Sequence, residues 1–230
     1  MEKIVYQLWK KDLDHMDSFK DRLLTHLPPS IDSLVSELQI NIQDQDVAPA
    51  NSLVQSNYPP APDAIIFIKV ESYFSTKDVE TQLLEISQKI QGFIVSESII
   101  LNDEARTPLG QRSEGFSQIV FLEKPSNMSS FDWFEHWTNH HTEIAIETQS
   151  NFIYIQNSIL RPLQQNSPRF IAIIEECFPA GAMSNTEIFY NAPNDPQLLL
   201  KNTTIMMDSC SKFIDFNKIE VIPTSRYRII

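Results

Sequence analysis

The chain has 230 residues, 42% of them hydrophobic and 21% charged, an ordinary globular composition at a length that buries a core without staples. Its formal net charge of −12 disfavours partners that are read through clustered Lys and Arg, so no nucleic acid and no acidic membrane surface is expected. The two cysteines, Cys177 and Cys210, form no CxxC and no disulfide framework and are expected as reduced, buried thiols.

Met1-Glu2-Lys3-Ile4-Val5-Tyr6 lacks a basic region followed by an apolar core, and no apolar run approaches the ~20 residues of a spanning helix. A cytoplasmic protein is the expectation. With only four glycines, tight turns fall to Asn, Asp and Pro. Ile4 to Leu8 reads as a first strand. A helix follows, with Met16, Phe19, Leu23 and Leu27 at three- and four-residue spacing, and Pro28-Pro29 is expected to stop it. Leu34 to Ile42 alternates loosely and reads as a second strand. Residues 43–62, rich in Gln, Asn, Ala and Pro, read as an insertion or a lid. Ile65 to Val70 is a buried-type strand. Ser75 with Asp78 predicts a capped helix that carries Val79, Leu83, Ile86 and Ile90 on one face, with Gly92 as its C-terminal cap. Phe93 to Leu101 completes a β-α-β-β-α-β series.

Residues 102–114 are polar, contain Pro108 and Gly110, and read as a linker. Then the order repeats. Gln118 to Glu123 is a strand, Ser129 with Asp132 caps a helix, and Phe152 to Leu160 and Phe170 to Phe178 are strands. Asp195-Pro196 opens a helix carrying Leu199, Met206 and Cys210. Lys218 to Ile222 and Tyr227 to Ile230 close the unit. The expected fold class is α+β: duplicated ferredoxin-like βαββαβ units, at 1–101 and 115–230, forming a pseudo-dimeric α+β barrel within one chain. Each unit alone would leave a sheet face wet, and two such faces can cover each other.

Residues 131–145 carry the most chemistry. On a helix at 100° per residue, Trp133, Phe134, Trp137, His141, Ile144, Ala145 and Thr148 fall within about 120° of arc. Glu135, Asn139, Thr142 and Glu143 lie opposite. His141 sits inside the apolar stripe, His140 at its edge and His136 on the polar side. A histidine in an apolar stripe needs partners for its ring nitrogens. Two explanations stay open: a core histidine bonded to a backbone carbonyl, or an imidazole facing a cavity as general base or hydrogen-bond donor.

The spacing Trp133-x3-Trp137-x3-His141 followed by Ile144-Ala145 resembles the EthD signature, in which a helix carries an aromatic, then Trp or Tyr, then His before a short apolar segment. That family usually has Phe at the Trp133 position and Gly-Pro or a similar pair after the histidine, where this chain has Thr142-Glu143. The likeness covers about residues 115–161 and the rest only through topology. In the first half, Phe19 to His26 and Leu27-Pro28-Pro29 resemble a faded copy without the tryptophans, which implies that His26 is structural or solvent-facing. The resemblance implies an EthD-like protein of the dimeric α+β barrel group. It also implies a cavity between sheet and helices for a small hydrophobic, aromatic or carbonyl-bearing molecule, with His141 as the catalytic residue facing it. Trp133, Phe134, Trp137, His140 and Tyr154 are the expected ligand-binding residues. Glu123, Tyr6 and Trp9 are minor candidates, and Cys177 reads as inert packing.

Other chemistries lack support. His136 and His140 are four apart, but there is no HExxH and no placed acidic third ligand, so no metal is expected. The scarce glycines exclude phosphate-cradling loops, and no G-x-S-x-G elbow occurs. No cofactor is expected, although a single histidine does not distinguish an axial haem ligand. Three readings follow: cofactor-independent acid–base chemistry, an accessory ligand-binding protein, or a haem- or quinol-linked monooxygenase. The partner is expected to be a small hydrophobic molecule, and the chain a monomer or homodimer.

Overall fold

The computed structural model describes all 230 residues. Its elements are β1 (Glu2–Trp9), α1 (Met16–Asp21), a π turn (Arg22–His26), α2 (Leu27–Ile31), β2 (Glu37–Ile42), a 3₁₀ segment (Gln45–Leu53), β3 (Gln55–Ser56), β4 (Ala64–Val70), α3 (Thr76–Ile86) and β5 (Lys89–Asn102). There follow β6 (Phe116–Glu123), α4 (Ser130–His136), a π turn (Trp137–His141), α5 (Thr142–Thr148), β7 (Ile153–Pro162), β8 (Phe170–Phe178), α6 (Thr186–Phe189), α7 (Pro196–Phe213) and β9 (Ile219–Arg228). No helix is long and apolar enough to cross a membrane.

The strands run β2-β4-β1-β5-β7-β8-β6-β9, and β9 pairs back onto β2. Eight antiparallel strands therefore close a barrel, and β3 adds to the free end of β9. In each half the second strand of the chain is followed in space by the third, the first and the fourth. The halves meet at β5–β7, from Phe93 opposite Pro162 to Asn102 opposite Ile153, and at β2–β9, from Gln39 opposite Arg228 to Ile42 opposite Ser225. Inward side chains, among them Val5, Phe67, Phe93, Phe121 and Ile173, pack into one apolar cluster, so the middle of the barrel is filled.

Alternate residues point outward to the helices. In the first half, Tyr6, Ile66 and Ile68 meet Phe19, Leu23 and Leu83 in a continuous core. In the second, Val120, Tyr154 and Ile174 face Trp133, Trp137 and Met206.

Several expectations change. Pro28-Pro29 does not end the first helix: the chain stays helical to Ile31 because a π turn, closed by the Leu27 N–H to the Arg22 carbonyl, precedes them. The prolines thereby fall in a first turn, where no N–H is required. Ser75 makes no capping hydrogen bond; Ser72 caps the short turn before it, accepting from the Phe74 N–H. The helix ends at Ile86, and Ile90 and Gly92 belong to β5. Gly92 is no helix cap: it lies against the buried Tyr6 ring, which a Cβ there would approach to 2.5 Å. The two closing strands are one, β9, running through Pro223. Residues 102–114 are held in place by Gly110 N–H to Arg228 O (2.7 Å) and Ser113 N–H to Arg226 O (2.8 Å).

The Gly92 contact yields a test. Gly92→Ala should destabilise by about 1–3 kcal/mol through overpacking against a ring that cannot swing away. A thermal or urea unfolding curve superimposable on wild type would refute it.

Candidate functional site

The helix from Ser130 begins as the sequence predicts: Ser129 Oγ accepts from the Asp132 N–H (3.0 Å) and donates to Asp132 Oδ2 (2.7 Å). At Trp137–His141 it widens into a π turn, and the Thr142 N–H reaches the Trp137 carbonyl. The extra residue in that turn rotates everything after it. Thr142 is therefore buried rather than on the polar side, and its hydroxyl donates to Trp137 O (2.8 Å) and accepts from Gln156 Nε2 (2.8 Å). π turns of this kind concentrate at functional sites.

Beneath the turn lies a cavity of about 370 Å³, between the outer face of β6–β9 and the helices α4–α7. Of its 27 lining residues 18 are hydrophobic, and none is Lys or Arg, so the lining is mainly apolar and offers no side-chain cation of that kind. Ser52, Leu53 and Gln55, from the 43–62 segment of the first half, complete one wall. That segment is fixed: Ser56 Oγ and Tyr58 N–H both donate to Glu220 Oε1 (2.9 Å each), and Tyr58 donates to Glu123 (2.6 Å).

Three residues expected at the site, Trp137, His141 and Tyr154, line this cavity. Three do not. Trp133 is fully buried behind it, donating from Nε1 to Phe213 O (2.8 Å). Phe134 packs edge-on against Trp133. His140 points to solvent. In the first half His26 is exposed and bonded to Thr25, and the buried position one residue later is Leu27. No group of three or more His, Cys, Asp or Glu is placed to hold a metal. A haem would need cations for its carboxylates, and the lining offers none, so the residues here do not fit that group.

His141 is 8% exposed. Its Nδ1 lies 3.0 Å from Ser209 Oγ on α7, and its Nε2 has no hydrogen-bond partner in the protein. The ring packs on Phe213. Burial, helped by the nearby His136, pulls its pKa down to about 4, so the imidazole is neutral at pH 7.

The sequence reading missed Glu176. It lies on β8 opposite Gln118 of β6 and Tyr154 of β7, and all three line the cavity. Asn151 Nδ2 donates to its Oε1 (3.0 Å), and Oε2 has no protein partner. Burial pushes its carboxyl up to about 7. A signal was present: Glu175-Glu176 interrupts an apolar strand, so one carboxyl had to enter each buried face. Glu175, facing the barrel interior, pairs with Arg226 (2.9 Å); Glu176 has no cation. Ser209, Tyr190 and the sulfur-bearing Met206 and Cys210 also escaped notice.

With this geometry in view, the comparisons can be placed. Residues 125–217 match the EthD domain, so the segment bearing the π turn, β7, β8 and α7 is EthD-like. Among solved structures, an anthrone oxidase-like protein aligns with a TM-score of 0.57 at 8% identity, over 99% of this chain and 93% of that one. A protein from Lactobacillus acidophilus NCFM, provisionally named a monooxygenase, aligns with a TM-score of 0.50 at 8% identity, over 99% and 95%. No curated protein matches. Residues 125–217 thus match the EthD domain, and the chain as a whole shares the fold of these solved structures, with its barrel closed within one polypeptide.

The two cavity groups should give opposite pH signatures. Between about 4 and 6.5 the unfolded chain binds more protons at His141 than the folded protein does, so this group's contribution falls as the pH falls. Between 4.5 and about 7 the folded protein holds the extra proton at Glu176, so its contribution falls as the pH rises. Relative to wild type, Glu176→Gln should gain stability as the pH rises through the upper window. His141→Asn should lose stability relative to wild type through the lower one. Urea unfolding across pH 4 to 8 measures both differences, and flat differences would contradict the assigned protonation states.

Proposed function

We propose that the protein binds a small, uncharged, hydrophobic or aromatic carbonyl compound in the cavity beneath the π turn and performs cofactor-independent acid–base chemistry on it, of the cyclase, dehydratase or isomerase type. His141 is the catalytic residue, Trp137 and Tyr154 contact the ligand, and Trp133 and Phe134 support the helix. The observation that carries this reading is a neutral imidazole with a free Nε2 in an apolar hollow without cations. Such a pocket takes a molecule with one or two polar atoms and excludes bulk water from it.

The two halves read best as fused ferredoxin-like repeats, 1–101 and 115–230, joined by 102–114; the shared strand order and the π turn in each support this. A barrel closed by one chain leaves a monomer or a homodimer free to use the site.

The names of the fold neighbours support a second reading, oxidation of an aromatic carbonyl compound by a monooxygenase. A ligand-binding accessory role is the third.

Titration with neutral bicyclic ketones should quench Trp137 fluorescence, with the matching aryl carboxylates binding at least about tenfold weaker because a buried charge would go unpaired. His141→Ala should keep the fold, by circular dichroism, and lose ketone-dependent turnover. Equal binding of ketones and carboxylates, or full activity without the imidazole, would overturn the assignment.

A further inference from the structure

The hydrogen bonds around Ser209 fix which nitrogen of His141 carries the proton. His136 Nε2 lies 3.2 Å from the Ser209 carbonyl and 3.3 Å from its hydroxyl. A carbonyl only accepts, so His136 Nε2 is protonated and donates. The Ser209 hydroxyl accepts from the same N–H. Its own hydrogen is then free for the other neighbour, His141 Nδ1, at 3.0 Å. With that hydrogen directed to His141 Nδ1, the neutral ring bears its own hydrogen on Nε2, the arrangement in which each hydrogen of this trio has an acceptor or faces the cavity. Toward the cavity His141 presents a donor, not a lone pair.

A neutral donor cannot also remove a proton. The other ionisable groups facing the cavity are Glu176, Tyr154, Tyr190 and Cys210. Burial holds both tyrosines and the thiol well above their ordinary values, so they stay protonated at neutral pH. Glu176 remains. Asn151 anchors its Oε1 and leaves Oε2 free, and its neighbours across the strands are the uncharged Gln118 and Tyr154. No hydrogen bond joins Glu176 to His141, and both line the same cavity.

We propose that Glu176 is the proton-abstracting base of this cavity, that His141 is a neutral hydrogen-bond donor to the substrate oxygen held in that tautomer by Ser209 and His136, and that the substrate is an uncharged ketone with a hydrogen on the neighbouring carbon. This rests on the reading of the cavity given above and divides the work within it. The Glu176 carboxylate takes the proton from carbon. The C–H electron pair becomes the C=C of an enolate, and the charge that develops on oxygen meets the His141 Nε2–H. Replacement of that proton on Glu176 from solvent and its delivery to the same carbon completes exchange, whereas delivery to a conjugated carbon completes isomerisation. No oxidant or reductant enters the balance.

Two measurements test this on the intact chain. Long-range proton–nitrogen NMR of histidine-labelled protein should show His141 neutral with hydrogen on Nε2; hydrogen on Nδ1 overturns the proposal. α-Tetralone in deuterated buffer should exchange its α-hydrogens faster with protein than without, the rate rising with pH to a plateau above about 7. Glu176→Gln should cut that rate by roughly 100-fold or more, while tetralone still quenches Trp137. Glu176→Asp should restore part of it. Ser209→Ala should release the tautomer and slow exchange without moving the pH midpoint. Wild-type exchange in Glu176→Gln, or binding without exchange in wild type, sinks the assignment of the base and spares the cavity reading. Failure of tetralone to bind sinks both.

Discussion

The pairing of β2 with β9 is the constraint on which the rest depends. Without it the eight strands would be an open sheet with two raw edges and an uncovered apolar face. With it, the inward side chains of both halves bury one another, and Phe67, Phe93, Phe121 and Ile173 fill the centre. The filled middle leaves interior space only toward the barrel's ends, in polar recesses lined by residues such as Gln7 and Gln91 or Lys3, Glu97 and Arg226. The mainly apolar cavity lies instead on the outer face, between the sheet and the helices of the second half. In the first half Phe19, Leu23 and Leu27 bring the helix down onto Tyr6 and Ile66. In the second, Trp137, His141 and Met206, Cys210 and Phe213 of α7 border the cavity.

The π turns explain why one helix serves both packing and chemistry. A regular helix at 100° per residue would carry His141 inward and turn Thr142 away. The wide turn buries both, so the Thr142 hydroxyl adds a second hydrogen bond to the Trp137 carbonyl that closes the turn, while the imidazole faces the cavity. The first half has the same widening at Arg22–His26, but the inward position is Leu27 and the histidine beside it meets solvent. Two similar π turns thus lie over a sealed core in one half and over a cavity in the other. One residue of register decides which.

Much of this was legible in the sequence. Period-two and period-3.6 apolar patterns located the major strands and helices, and Ser129 and Asp195 marked helix starts where the structure caps them. The Trp133-x3-Trp137-x3-His141 spacing singled out the helix over the cavity. What failed did so for tertiary reasons. Pro28-Pro29 stops a regular helix but not one preceded by a π turn. Gly92 suited a C-cap on local grounds, whereas the Tyr6 ring across it set its identity. Trp133, Phe134 and His140 share the sequence neighbourhood of His141 but not the cavity, whereas Tyr190 and Glu176, which line it, and Ser209, which bonds to the imidazole, come from parts of the chain distant in sequence.

Adjacent glutamates on β8 show how the barrel divides its charges. Strand alternation sends Glu175 inward and Glu176 outward. A buried carboxylate is tolerated when it is paired, and Glu175 has Arg226 at 2.9 Å with Asn41 and Ser117 around it. Glu176 has one amide and an apolar hollow. In a chain of net charge −12, placing an unpaired carboxyl where neither Lys nor Arg can reach it raises the energy of its charged form without help from solvent. Stability alone would favour a hydrophobic residue at that position. A ligand polarised by His141 from the other side supplies a physical reason for a carboxyl there: it is the group whose proton affinity the cavity tunes toward neutrality, while the same burial drives the imidazole's down.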